Sequence, residues 1–91
     1  MPVTVRIPTQ LRELSGGNAE VSAEGGSLAS VLEGLETAHP GFRERLFDEQ
    51  GELRRFVNVF VDDEDIRFLD GVDTPVAAGQ VVSIIPAVAG G

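Results

Sequence analysis

VVSIIPAVAGG, residues 81–91, decides the reading of this chain: an apolar run of strand length is followed by a proline, three small residues and two glycines. Side chains alternate across a strand, so Val82 and Ile84 share one face, read as the core face, while Val81, Ser83 and Ile85 share the other. Pro86 has no backbone N–H, so it is expected to end the pairing and release a flexible tail over residues 86–91. With no Cβ at Gly90 or Gly91, the last peptide can lie in a channel too narrow for any other side chain, leaving the carboxyl carbon open to attack. A frayed end is the plain alternative. What the strand joins decides between the two.

Working outward, Val3, Val5 and Ile7 alternate with Thr4 and Arg6 in a half-buried first strand that Pro8 closes. Turn residues at 15–18 lead into a second, weaker alternating run at 19–23, and the short spacing favours an antiparallel hairpin, with Leu11 and Leu14 tucked beneath the connection. Ser27 is a good N-cap for a helix over 28–38, in which Leu28, Val31, Leu32 and Leu35 follow the helical period. His39 is read as the end of that helix, and Pro40-Gly41 stops it. Phe42 and Leu46 point inward from a short helical turn at 42–47, and a polar loop follows at 48–52.

Residues 56–61 form the strongest strand signal, with Val57, Val59 and Val61 on one face and Phe56 and Phe60 flanking Asn58 on the other. With a helix on one side of the sheet only, that second face is left open as a contact surface, and Phe60 is the expected neighbour of Val81, Ser83 and Ile85 across the sheet. The run Asp62-Asp63-Glu64-Asp65 lacks the alternating oxygen ligands, glycine and terminal Glu of a calcium loop, so it reads as a solvated hairpin tip. A short strand at 66–68, an irregular stretch at 73–76 and a turn at 78–80 lead to the last strand. If the first and last strands are parallel neighbours, the order gives a β-grasp. The expected fold is therefore α+β and ubiquitin-like: a mixed sheet of four to five strands with one main helix packed on one face, residues 1–85 as the domain and 86–91 as the tail.

Composition limits the chemistry. Ninety-one residues make one domain, with 42% hydrophobic and 24% charged residues, which fits a folded protein. No Cys is present, which removes disulfides, thiolate nucleophiles and thiolate metal sites together, and no metal site is expected elsewhere. Fifteen acidic against seven basic residues give a net charge of −8, a poor match for nucleic acid. All seven basic residues are arginines, at positions 6, 12, 43, 45, 54, 55 and 67, so no surface lysine can accept an isopeptide bond. Neither a secretory h-region nor an 18-residue apolar run occurs, so no membrane is expected and a cytoplasmic location is. One His without a nucleophile or carboxylate partner, and no phosphate loop, make an enzyme of its own improbable.

In its strand order, in the closing block at 73–86 and in its continuation to Gly91, the chain resembles the ubiquitin-like sulfur carriers of the MoaD/ThiS family. Residues 55–68 and the ending Pro86-Ala87-Val88-Ala89-Gly90-Gly91 are most similar to the CysO-type carriers of cysteine biosynthesis. The resemblance implies that an ATP-dependent activating enzyme adenylates the Gly91 carboxylate and that a sulfur donor displaces AMP, leaving a thiocarboxylate; the carrier itself binds no cofactor. A PLP-dependent cysteine synthase is implied as the acceptor, and a deubiquitinase-like metalloprotease as the enzyme that releases cysteine. The chain is then a recycled co-substrate, and its lack of Cys leaves no internal thiol to attack the activated acyl group.

Ordering six tail residues costs about 6–12 kcal/mol, at roughly 1–2 kcal/mol each, more than their small side chains recover. The globular face must therefore supply affinity. The expected partner-binding residues are Gly90, Ala89, Val88, Ala87, Pro86, Ile85, Ser83, Val81 and Phe60, in a face ringed by acidic residues that suits partners with basic rims. Two other readings stay open: the same chemistry serving as the small subunit of molybdopterin synthase or as a protein modifier, and an inert ubiquitin-like interaction module.

Overall fold

Alternation at the N-terminus does produce a strand. In the computed structural model, which describes residues 2–55 and 57–86, β1 spans Pro2–Arg6 and buries Val3 and Val5, with Ile7 buried just beyond it. β2, Glu20–Glu24, pairs antiparallel with β1 in the register Thr4↔Ser22 and Arg6↔Glu20, the expected hairpin. Leu11 is buried in the connection, and Leu14 packs against the core.

A two-residue strand, β3 (Gly26–Ser27), precedes helix α1 (Leu28–Ala38), whose buried stripe is Leu28, Val31, Leu32 and Leu35. The Ser27 side chain accepts the Ser30 N–H at 3.2 Å, the cap anticipated from sequence. His39 closes the helix by donating its backbone N–H to the Leu35 carbonyl, at 2.8 Å. Helix α2 (Phe42–Leu46) follows at once, and the Glu36 carboxylate accepts the Gly41 and Arg43 N–H groups at its start. Gly41 has φ +117° and a Cβ there would lie 2.9 Å from Leu14 Cδ2, so both conformation and space select glycine.

β4 covers Val57–Val61; Phe56, expected to begin it, lies outside the described residues. The next strand differs from expectation. β5 is Glu64–Asp65, and Ile66–Phe68 is a 3₁₀ turn rather than a strand. The Asp65 carboxylate accepts the Arg67 N–H at 2.8 Å, curling the backbone; Ile66 is buried and Phe68 is 87% exposed. The stretch read as irregular contains β6 (Pro75–Val76), which pairs with β3 in a small second sheet. Gly25 permits this, because a Cβ there would approach the Val76 carbonyl oxygen to 2.9 Å.

β7, Val81–Pro86, completes the main sheet in the order β2-β1-β7-β4-β5, parallel to β1 and antiparallel to β4. The fold is thus the expected β-grasp, with α1 covering one face of a mixed five-stranded sheet. Val82 and Ile84 meet Val5, Val59 and Val61 in the core. Pro86 is itself paired, opposite Val57, as the last residue of β7. The Asp62 N–H donates to the Val81 carbonyl at 2.9 Å, and bonded pairs alternate along an antiparallel ladder. Counting from that pair, Ser83 and Ile85 occupy bonded positions and Pro86 a non-bonded one, where β4 needs no donor, and the register with β1 stops at Ser83.

Candidate functional site

β7 is the central strand, and its outward residues form a surface whose rows follow from the register. One row runs Glu20, Arg6, Ser83, Phe60 and Asp65 across β2, β1, β7, β4 and β5. The next joins Ile85 to Asn58, and on the other side Val81 lies beside Thr4 and Ser22. Phe60, Val81 and Ser83 are half-buried, while Ile85 is 50% exposed, one of the few large apolar side chains open to water among the described residues. Phe60, Val81, Ser83 and Ile85 share this face as expected, whereas Pro86, opposite the core-facing Val57, has the parity of Val82 and Ile84. Gly91, Gly90, Ala89, Val88 and Ala87 lie outside the described residues, so the structure places Pro86, Ile85, Ser83, Val81 and Phe60 of the predicted set.

Asp62, which sequence reasoning assigned to a solvated tip, fastens the beginning of β7. With φ +49° it sits in the left-handed region, and its carboxylate accepts the Val81 N–H at 2.9 Å and a Gln80 side-chain N–H at 3.0 Å. Its own N–H donates back to Val81, so the side chain replaces the carbonyl that an ordinary rung would supply. Asp62, Asp63 and Glu64 are exposed as expected of the tip, while Asp65 is half-buried, and no group of three His, Cys, Asp or Glu residues suited to a metal occurs among the described residues.

Arg67 was likewise missed. β5 faces only Phe60 and Val61, leaving the start of β4 without a strand on that side. The guanidinium fills the gap, donating to the Asn58 side-chain oxygen and to the carbonyls of Arg55 (3.0 Å) and Val57 (2.9 Å). A charged fork thus caps the sheet edge next to Ile85.

The charge around this face is not the uniform acidic ring expected. At the finish of β7, Arg6, Arg12, Ser83, Ile85 and Pro86 line a cleft of about 370 Å³. Arg6 pairs loosely with Glu20 at 3.5 Å, and Arg12 donates its Nε to the Ile7 carbonyl at 3.1 Å. The acidic side chains Asp62, Asp63 and Glu64 gather at the strand's beginning instead. Parity along the strand predicted the apolar neighbours but said nothing of which charges flank each end. A larger cleft, about 490 Å³, lies between α1 and α2 and shares no residue with β7.

The model of the ThiS family matches residues 5–91. The sulfur carrier protein CysO of Mycobacterium tuberculosis (strain ATCC 25618 / H37Rv) is 52% identical over 93 residues, a match covering 100% of both chains. A chain in the crystal structure of the Amycolatopsis orientalis BexX/CysO complex superposes with a TM-score of 0.91 at 45% identity, covering 98% of this chain and 99% of that one. The crystal structure of Mycobacterium tuberculosis CysO superposes with a TM-score of 0.90 at 50% identity, covering 94% and 99%. No helix among the described residues is long and apolar enough to cross a membrane.

Proposed function

The chain belongs to the ThiS family, and from that premise we propose that it is a cytoplasmic sulfur carrier of the CysO type, a protein co-substrate and not an enzyme. The reactive group is the Gly91 carboxylate. An activating enzyme transfers AMP from ATP to it, releasing pyrophosphate and converting an inert carboxylate into a mixed anhydride. A sulfur donor then displaces AMP, and the carbonyl carbon keeps the sulfur as a thiocarboxylate. The thiocarboxylate is ionised at neutral pH, and its sulfur is a better nucleophile than a carboxylate oxygen.

The acceptor is a PLP-dependent cysteine synthase. Carrier sulfur adds to the enzyme-bound aminoacrylate, forming a C–S bond, and the acyl group then shifts from sulfur to the amino nitrogen. Cysteine is left amide-linked to Gly91, and hydrolysis by a metalloprotease of the deubiquitinase-like kind returns the carboxylate and frees the amino acid. Pro86 and the tail at 87–91 enter these partners, while Phe60, Val81, Ser83 and Ile85 supply the docking face. The observation carrying this reading is the placement of β7: the strand leading to Gly90-Gly91 is central in the sheet, with a half-exposed isoleucine one residue before its end.

The test is intact-mass measurement after incubation with ATP, the activating enzyme and a sulfur donor. Gly91 should gain the oxygen-to-sulfur increment, and a chain with Gly91 deleted, or with one residue added after it, should gain nothing. An unmodified wild-type protein under conditions where the enzyme turns over ATP would overturn the reading. A charge introduced at Phe60 or Ile85 should slow thiocarboxylate formation at limiting enzyme; an unchanged rate removes those residues from the docking face.

A further inference from the structure

The outer face of β7 has two unlike ends. At its beginning Asp62 is tied to Val81 and Gln80, and Asp63 and Glu64 stand exposed beside it. At its finish Arg6 lies in register with Ser83, and Arg12 reaches the same cleft. The Arg6–Glu20 pair is open to solvent, with side chains 62% and 58% exposed, so water weakens it and a better partner can displace it. Arg12 is anchored through Nε alone and joins no ion pair among the described residues, which leaves the outer nitrogens of its fork available. In a chain of net charge −8, these two cations sit where the tail departs.

We propose that the Arg6–Arg12 cleft is a docking site for carboxylate side chains at the mouth of the activating enzyme's tail channel, with the Asp63–Glu64 end of the face set against basic residues of the same enzyme. The inference rests on the carrier reading above. Guanidinium groups bind carboxylates through paired hydrogen bonds, and Arg12 is already oriented by its bond to the Ile7 carbonyl. Opposite charges at the two ends of one strand also set direction. A carrier rotated by half a turn would bring like charges together, so only one orientation delivers the tail to the nucleotide.

The experiment measures carrier-dependent pyrophosphate release by the activating enzyme of the same organism, with the full chain varied in concentration. R12E should raise KM about tenfold or more with kcat within about twofold, whereas R12K should stay within about threefold of wild type. E20Q, which frees Arg6, should lower KM, and D63R should raise it. Added salt should raise the wild-type KM more steeply than that of R12E. An R12E KM equal to wild type overturns the inference. So does R12K matching R12E, which would assign the loss to the Ile7 bond and not to charge, and so does R12E lowering KM, which would mean that the cleft holds the chain's own carboxylate. Wild-type protein that supports no pyrophosphate release would instead overturn the carrier reading itself.

Discussion

The two faces of β7 share one backbone and one pair of neighbouring strands, yet they answer to different demands. Val82 and Ile84 are 0% and 2% exposed and meet both flanking strands in the core. Ile85, between Ile84 and Pro86, is 50% exposed and lies outside the core cluster. Burial accounts for the first set completely, since removing apolar area from water stabilises the fold at about 25 cal/mol per Å². It gives no reason for the second. A strand's period of two therefore separates folding from recognition at single-residue resolution, and substitutions one position apart should fail in different assays.

The largest effect should come from Ile84→Ala, which removes buried methylene and methyl groups and should cost about 2–5 kcal/mol in denaturant unfolding, with KM for activation unchanged while the protein stays folded. Ile85→Glu should do the reverse. Its unfolding free energy should lie within about 0.5 kcal/mol of wild type, while KM rises about tenfold, equivalent to about 1.4 kcal/mol of binding. Equal destabilisation by the two variants would break the division between faces. Arg67→Ala sharpens it from the side: uncapping the Arg55 and Val57 carbonyls should cost about 1–2 kcal/mol, and amide exchange along β4 should quicken more than along β1. Smallest is Ser27→Ala, which lies on neither face of β7. Loss of the α1 cap should lower stability by about 1 kcal/mol, with no change in activation once the protein is folded.

What could be read from the sequence was whatever repeats with a period. The stripe Leu28, Val31, Leu32 and Leu35, the alternation at Val3 and Val5 and the parity of β7 all carry such a signal, and each lies as expected. Ile66 and Phe68 mimic it, but three residues are too few to outweigh the Asp65 side chain capping the Arg67 N–H. β3 and β6, two residues each, have no period at all. That a proline can itself form the last rung depends on which edge needs the donor at that position, and only the register with Val57 supplies that. Asp62 and Arg67 act through bonds to backbone 10 to 19 residues away, partners that no local pattern names. For the site, the grouping of Phe60, Ser83 and Ile85 was legible because parity and pairing settle it. The charges at either end of the face were not, because they come from β1, from the connection after it and from the hairpin tip.

The latch at Asp62 bears on mechanics. A pull applied at Pro86, along the strand axis, meets the rungs to β1 and β4 side by side, so they share the load and must shear together instead of peeling one at a time. The carboxylate bond to the Val81 N–H adds a last anchor at the far end of the same strand. An enzyme can therefore tug on the end of this protein as on a rope made fast at both rails, and the body will follow the tail before the strand runs out of the sheet.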